Sequence, residues 1–168
     1  MAIEIRKVTD KKMLKRFIRF NYEFYKDNPY SVPDLYDDML GTLSSKRNAA
    51  FDFCEADYFL ALRDGQTVGR VAAIINHRAN EKWGKRIVRF GWIDFIDDIE
   101  VSRALISVVK AWGKERGMDT IEGPLGFTDM DPEGMLTWGF DKLGTMATIY
   151  NYDYYPRHME QMGGWAKD

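Results

Sequence analysis

The sequence predicts an α/β fold in which a parallel pair of strands lies at the centre of a mixed sheet. Three neighbouring segments carry this prediction: an apolar strand over residues 87–96, an amphipathic helix over residues 101–116, and a short strand at Thr120 and Ile121. A strand, a crossover helix and a second strand within about 35 residues are typical of a βαβ unit, whose two strands run parallel.

The first strand of this unit is apolar on both of its sides. Strict alternation places Ile87, Arg89, Gly91, Ile93 and Phe95 on one side, and Val88, Phe90, Trp92, Asp94 and Ile96 on the other. A strand that is buried on one face alone alternates between apolar and polar residues. We therefore expect a central strand that is covered by other elements on both faces.

The helix of the unit carries one apolar stripe with gaps of three and four residues, which indicates that one of its faces packs on the sheet. The stripe consists of Val101, Ala104, Leu105, Val108, Val109, Ala111 and Trp112. Asp97 and Asp98 stand where an N-cap belongs, and Gly117 follows as the stop.

Upstream of this unit, the sequence predicts a short strand within residues 3–8 and two helices. Asp10 is suited to cap a helix that runs to about Lys26. Pro33 suits the start of a shorter helix over residues 34–43, and the polar residues 44–52 predict a loop. Two apolar segments, residues 58–63 and 68–77, then flank Asp64 and Gly65, which favours a β-hairpin.

The remaining segments are shorter. Residues 78–86 predict a polar loop, and residues 135–138 predict one helical turn. A strand over residues 146–150 and a helix over residues 154–162 follow, and Gly163 ends that helix. Trp165 is interpreted as the first residue of another strand, so we expect a sheet edge that is covered by a homodimer partner or by a second domain.

Composition limits the classes of function. With 168 residues and 45% hydrophobic content, the chain has enough material for one domain with a real core. A formal net charge of −2 gives no reason to expect nucleic acid or an anionic membrane as a partner. Cys54 is the only cysteine, so no internal disulfide forms. The sequence shows neither a signal peptide nor an apolar run of about 18 residues, and we expect a cytoplasmic protein.

Metal binding is not predicted. The acidic residues Asp129, Asp131 and Glu133 resemble the start of a calcium loop, but its twelfth position is Phe140, which offers no carboxylate. We interpret this segment as a solvated acidic turn. His77 and His158 have no second ligand at zinc spacing, so His77 is expected to end a strand and His158 to lie on an exposed helix face.

The order of elements and a set of short motifs resemble the GNAT superfamily of acyl-CoA N-acyltransferases. More specifically, the chain is similar to the N-terminal part of longer, uncharacterised bacterial GNAT-like proteins. The motifs are Asn28-Pro29, Val32-Pro33, Leu60-Ala61-Leu62-Arg63-Asp64-Gly65, Val68-Gly69-Arg70-Val71-Ala72-Ala73-Ile74, Gly91-Trp92, Asp97-Asp98, Arg116-Gly117-Met118, Gly123-Pro124, Gly134-Met135-Leu136, Gly139-Phe140-Asp141 and Tyr154-Tyr155 with Gly163.

The resemblance implies an α/β, GNAT-like mixed sheet with helices on both faces. It also implies that residues 1–168 form a single domain that is truncated at its C-terminal end and lacks the last strands of the fold. The implied reaction is the transfer of an acyl group from acetyl-CoA or another acyl-CoA to a small amine.

Family members hold the pantetheine arm of CoA where the fourth strand diverges from the fifth. The resemblance therefore implies cofactor binding at Gly91, Trp92 and Ile93, with Asn151 as a partner for a cofactor amide. A plain central strand with one packing glycine is the alternative interpretation, and an Asn that merely ends a strand is the alternative for Asn151.

The same resemblance suggests three catalytic candidates. Asp94 and Glu122 are candidates for a base that takes the proton of the amine through water. Tyr155 is a candidate acid, although it lies about one turn before the position at which family members carry their tyrosine. For the two carboxylates, a hydrogen-bonded structural role is the favoured alternative.

The sequence departs from the family at the loop that holds the pyrophosphate of CoA. Family members carry glycines and an Arg or Gln there, whereas this chain has Asp97, Asp98 and Glu100 at the start of the helix. Carboxylates occupy and repel the positive helix end that an anionic ligand needs. This departure counts against ordinary CoA binding. It favours a second hypothesis, a non-catalytic, GNAT-shaped binding or regulatory module within a larger protein.

Overall fold

Five strands form one mixed sheet in a computed structural model that describes residues 2–145 and 148–168. The strands are β1 (Glu4–Lys7), β2 (Cys54–Arg63), β3 (Gln66–Asn76), β4 (Ile87–Phe95) and β5 (Thr120–Glu122). They lie in the order β1-β2-β3-β4-β5. The pairs from β1 to β4 are antiparallel and β4 pairs with β5 in parallel, which confirms the predicted βαβ unit.

Helices cover both faces of this sheet, as predicted. They are α1 (Lys11–Tyr25), α2 (Tyr36–Leu43), α3 (His77–Trp83), α4 (Ile99–Glu115) and α5 (Tyr154–Met162), with a short 3-10 helix at Ala49–Asp52 inside the expected 44–52 loop. Asp10 caps α1 by accepting a hydrogen bond from the Met13 N–H. None of the helices in the described ranges is long and apolar enough to cross a bilayer.

The core consists of two apolar layers, one on each face of the sheet. The layer beneath α4 contains Phe59, Val71, Ala73, Ile75, Val88, Phe90, Ile93, Phe95, Leu105, Val109 and Trp112. The layer beneath α1 and α2 contains Phe17, Ile18, Leu43, Tyr58, Leu60, Ala72, Ile74 and Phe127. Because β2 and β3 contribute to both layers, and β4 adds the partly buried Trp92 to the α1 layer, these three strands form the centre of the domain.

The alternation that was predicted for β4 is wrong beyond Gly91. Ile93 and Phe95 lie in the α4 layer together with Val88 and Phe90, whereas strict alternation had placed them on the opposite face. The cause is a β-bulge, which shifts the pairing of β4 with β3 and leaves Trp92 at φ 42°. One extra residue in a strand reverses the faces of all residues after it.

Residues 78–86, which were predicted as a polar loop, contain α3. The Asn76 side chain caps this helix by accepting from the Ala79 N–H at 2.9 Å, and Gly84 ends it at φ 61°. His77 consequently begins a helix instead of ending a strand. The helix-start signal of Asn76 and the helix-stop signal of Gly84 are both visible in the sequence.

The C-terminal third is less regular than predicted. Residues 135–138 form no helical turn, and residues 163–168 form no strand. The predicted strand over residues 146–150 lies partly outside the described residues, and Thr148, Ile149 and Tyr150 are not in a strand. Trp165 instead packs edge-on against Phe90, with ring centroids 5.5 Å apart.

Candidate functional site

The parallel strands β4 and β5 pair over three residues and then separate. Their register joins Ile87 to Thr120, Val88 to Ile121 and Arg89 to Glu122, and β5 ends there. β4 continues to Phe95 without a parallel neighbour. The expected divergence of the two strands is therefore present, and it leaves the outer edge of β4 beyond Gly91 without a neighbouring strand, although the residues of this edge are buried.

The main chain of β4 is only partly used along this outer edge. Leu125 N–H donates to Phe90 O at 2.9 Å, and the Tyr155 hydroxyl accepts from Phe95 N–H at 3.3 Å. Because alternate residues of an antiparallel strand turn their N–H and C=O to the same side, Ile93 faces outward like Phe95. Among the described residues, no hydrogen bond to the Ile93 main chain is found on that side.

The segment after β5 crosses β4 at Gly91. A Cβ added to Gly91 would lie 2.2 Å from Leu125 O, and one added to Gly123 would lie 2.3 Å from Phe90 O. Both positions thus require glycine for the close approach of two backbones. Beyond the crossing, Phe127 is fully buried in the α1 layer, and Asn76 Nδ2 donates to Phe127 O at 2.9 Å.

A buried polar network surrounds Asp94, which lies next to Ile93 on β4. Asp94 Oδ2 accepts from Arg70 Nε and from Asn21 Nδ2, both at 2.9 Å. Asp94 Oδ1 accepts from the Tyr155 hydroxyl at 2.8 Å and from the Tyr25 hydroxyl at 3.2 Å. The two tyrosine oxygens are themselves 2.8 Å apart. The network ties β3, β4, α1 and α5 together, so two of the predicted catalytic residues, Asp94 and Tyr155, are in contact.

Burial and the Asp94 carboxylate determine the protonation of the two tyrosines. Desolvation, followed by the negative charge of Asp94, raises the pKa of Tyr155 well above its usual value. The same two causes raise the pKa of Tyr25. Both phenols therefore stay protonated across the physiological range and act as hydrogen-bond donors.

The first turn of α4 is capped by the carboxylate of Asp98. Asp98 Oδ1 accepts from Glu100 N–H at 2.9 Å, and Asp98 Oδ2 pairs with Arg63 Nη2. The hydrogen bond from Arg63, and then that from the Glu100 N–H, lowers the pKa of Asp98. The carboxylate is thus held ionised at the helix end.

A second contact at this turn involves a buried histidine. His158 Nε2 lies 2.8 Å from Asp97 Oδ1, and His158 Nδ1 lies 2.8 Å from Ser102 Oγ. The expectation that His158 would be exposed is wrong, since it is 5% exposed. Burial follows from packing: its ring stacks on Phe95 at 5.1 Å. Ser102 is fully buried, so this chain of contacts attaches α5 to α4 and offers no accessible nucleophile.

Two curated relatives match almost the whole chain. Protein YghO of Escherichia coli (strain K12) is 35% identical over 159 residues, which are 95% of this chain and 40% of YghO. The bacterial ceramide synthase of Caulobacter vibrioides is 33% identical over 151 residues, which are 89% of this chain and 39% of that enzyme. The chain thus spans about two fifths of the length of both relatives. No model of a known protein family matches it.

Solved structures decide the fold. A tandem GNAT protein from the clavulanic acid biosynthesis pathway superposes with a TM-score of 0.56 at 16% identity, over 71% of this chain and 35% of its own. The ribosomal-protein-alanine N-acetyltransferase of Brucella melitensis gives 0.53 at 18% identity, over 78% and 84%. A GNAT-family acetyltransferase of Staphylococcus aureus gives 0.51 at 16% identity, over 71% of both chains. The chain has the GNAT fold.

The remaining predicted site residues lie apart from Asp94 in this GNAT fold. Glu122 is half-buried and lies opposite Arg89 in the register of β4 and β5. Arg89 is five residues before Asp94, so Glu122 and Asp94 are separated by about 16 Å along the strand, at about 3.3 Å per residue. The Asn151 side chain bonds to the main chain of Leu136. Its Oδ1 accepts from the Leu136 N–H at 2.6 Å, and its Nδ2 donates to the Leu136 carbonyl at 3.2 Å. The geometry thus supports the alternative interpretations of Glu122 and Asn151, as a carboxylate at a strand end and as an Asn that orders a loop.

The acidic turn and the cysteine take structural positions. Asp131 Oδ2 accepts from Phe127 N–H at 2.8 Å and from Thr128 N–H at 3.2 Å, which is a turn cap. Within the described ranges, no group of three metal-ligating side chains is present. Burial raises the pKa of the Cys54 thiol to about 11, so the thiol stays protonated and unreactive at neutral pH.

Sequence reasoning missed three members of the Asp94 network: Arg70, Asn21 and Tyr25. Arg70 left a signal, because it is the one charged residue in the apolar run of residues 68–75. A charge inside a buried strand needs a partner of opposite sign. Asp94 is the matching charge in the neighbouring strand, and the register places the two residues opposite each other.

Proposed function

We propose that this domain is an N-acyltransferase that moves an acyl group from an acyl-CoA-type thioester to an amine. The observation that carries the proposal is the outward-facing main chain of Ile93, beside the β4 bulge and beyond the end of β5. An extended ligand with amide groups can bond to such an edge as an added strand does. The pantetheine arm of a thioester donor has this chemistry.

The reaction is a direct displacement at the thioester. The amine lone pair attacks the carbonyl carbon, a C–N bond forms, and the C–S bond breaks with its electron pair on sulfur. The amine gives up a proton to a base, and the leaving sulfur takes one up. Asp94 is the candidate base because it adjoins Ile93 on β4. Tyr155 is the candidate acid because its hydroxyl lies 2.8 Å from Asp94 Oδ1 and accepts from the Phe95 N–H at the same edge of β4.

The acceptor is proposed to be a primary amine. One relative is named a bacterial ceramide synthase, and a ceramide is an amide of a long-chain amino alcohol. A long-chain amino alcohol is therefore the first acceptor to assay, together with short primary amines.

The test is a thiol-release assay with octanoyl-CoA and sphinganine or a short amine, with the amide product identified by mass spectrometry. Thiol release that depends on amine supports the proposal; no release with any of these amines contradicts it.

A proline at position 93 tests the role of the main chain. In Ile93→Pro the outward N–H is lost without the loss of a bond to β3. We expect kcat/KM to fall at least about tenfold, because a hydrogen bond between uncharged groups contributes about 1.4 kcal/mol and this free energy corresponds to a factor of ten. Ile93→Val is the matched control, because it keeps the main chain and the buried position.

One observation favours a second candidate, a GNAT-shaped binding module without catalysis. The carboxylates of Asp97 and Asp98 occupy the end of α4 at which a nucleotide pyrophosphate would be held. Calorimetry with octanoyl-CoA separates the two candidates. Micromolar binding favours the enzyme, whereas no heat at millimolar ligand favours the module.

A further inference from the structure

The start of α4 carries several carboxylates, two of which make specific contacts. A helix N-terminus offers unpaired N–H groups and a positive dipole end, and both attract phosphate. In this chain the Asp98 side chain already accepts from the Glu100 N–H. One N–H donor of the turn is therefore used before any ligand arrives.

The charge of this turn is also unfavourable for an anion. Asp97, Asp98 and Glu100 bring three carboxylates to it. The nearest cation, Arg63, is paired with Asp98, and Arg103 lies further along the helix with its side chain exposed. Negative charge therefore remains in excess. Two like charges 4 Å apart repel each other by about 1 kcal/mol in water, and a diphosphate carries more than one charge.

Two of these three carboxylates, those of Asp97 and Asp98, make specific contacts. Asp98 is bound both by Arg63 and by the helix cap. Asp97 is bound by His158, which is buried between Phe95 and Ser102. For a diphosphate to take their place, two buried or half-buried contacts would have to break.

We infer that this site recognises its donor through the acyl group and the pantetheine arm, and that a nucleotide diphosphate contributes nothing at the start of α4. This inference rests on the proposed function. The substrate class is consequently a pantetheine thioester in general, of which acyl-CoA is one member.

The test compares three donors with the same acyl chain and a saturating amine: octanoyl-CoA, octanoyl-4′-phosphopantetheine and octanoyl-pantetheine. We expect the kcat/KM values of the three to agree within about threefold. A preference of tenfold or more for octanoyl-CoA over both truncated donors overturns the inference and leaves the proposed acyl transfer intact. If none of the three is consumed, the proposed function itself fails, and the inference fails with it.

A charge variant tests the cause. Asp98→Asn keeps the cap, since Asn caps helices as well as Asp does, but removes one negative charge and releases Arg63. We expect the ratio of octanoyl-CoA to octanoyl-pantetheine turnover to rise about fivefold, the effect of one like charge at 4 Å in water. Arg103→Gln is the control, because it removes an exposed cation from the same helix, and its ratio should stay unchanged. If Arg103→Gln lowers the ratio tenfold, Arg103 binds a diphosphate and the inference is wrong.

Discussion

Tyr155 donates a hydrogen bond to Asp94 at the C-terminal end of β4, with 2.8 Å between the hydroxyl and Oδ1. The contact joins α5 to the central strand, although 61 residues separate the two in sequence. Tyr155 is 1% exposed, so its hydroxyl has exchanged all contact with water for contacts inside the protein. The contribution of the Tyr155 hydroxyl to the free energy of unfolding can be measured.

Tyr155→Phe should destabilise the domain by about 1–3 kcal/mol, because it leaves the buried Phe95 N–H without a partner and removes one of the two donors to Asp94 Oδ1. Urea unfolding followed by circular dichroism measures the change. Tyr154→Phe is the matched control: its half-buried hydroxyl contacts Phe95 O, and its loss should cost about 1 kcal/mol or less. Equal losses of stability in the two variants would show that the Tyr155 hydroxyl contributes no more to stability than the Tyr154 hydroxyl does.

Removing one member of the ion pair between Arg70 and Asp94 should lower the stability of the domain much more than replacing both members with apolar residues. Both side chains are almost fully buried, at 5% and 6% exposure. Asp94→Leu leaves the guanidinium of Arg70 without its charge partner, which should cost about 3–5 kcal/mol. The double variant Arg70→Met with Asp94→Leu should be more stable than Asp94→Leu alone, because no unpaired charge remains. A double-mutant cycle in urea measures the coupling, and additive losses would show that the two charges do not stabilise each other.

Local patterns predicted most of the fold, and long-range contacts account for what they missed. Asp10, the apolar stripe of α4 and the Asp64-Gly65 turn act over a few residues, so the sequence shows them directly. The bulge at Trp92 depends on pairing with β3, which a single strand does not display. Its effect was large, because it moved Asp94 to the face of the sheet on which Arg70 lies.

The segment from residue 123 to 151 could not be predicted for the same reason. Its described residues make contacts to distant parts of the chain, such as the bond from Asn76 to Phe127 O and that from Arg89 Nη1 to Gly126 O at 3.1 Å. Its own sequence therefore carries few signals of regular structure. The candidate site was predicted in part: Asp94 and Tyr155 do meet, whereas Glu122 and Asn151 lie elsewhere.

Asp98 should make the stability of the domain depend on pH at the acid end. Its pKa is lowered in the folded state, chiefly by the hydrogen bond from Arg63, so the folded protein binds this proton less readily than the unfolded chain does. The resulting stability is present above the unfolded pKa of about 3.9 and is lost as the pH falls through the lower folded pKa. Since the pair is partly exposed to water, we expect about 0.5–1 kcal/mol.

Asp98→Asn tests this dependence because it keeps the cap and removes the charge. Its loss of stability should be seen at pH 7 and should disappear near pH 2, when unfolding by urea is compared at the two values. Asp98→Ala loses the cap as well, and about 1 kcal/mol of its loss should remain at low pH. A loss in Asp98→Asn that is the same at both pH values would place the effect in something other than the charge.

Gly91→Ala should be among the most damaging single-methyl substitutions in the domain. The new Cβ would lie 2.2 Å from Leu125 O, which is a backbone atom of the crossing segment, so relief requires one of two main chains to move. We expect a loss of about 2–3 kcal/mol, typical of severe overpacking. Gly41→Ala in α2 is the matched control, because its Cβ meets only the flexible Arg47 side chain at 3.4 Å. That variant should gain up to about 1 kcal/mol from higher helix propensity. Thermal unfolding of both variants measures the contrast, and a Gly91→Ala protein as stable as the parent would show that the crossing at β4 is looser than the structure has it.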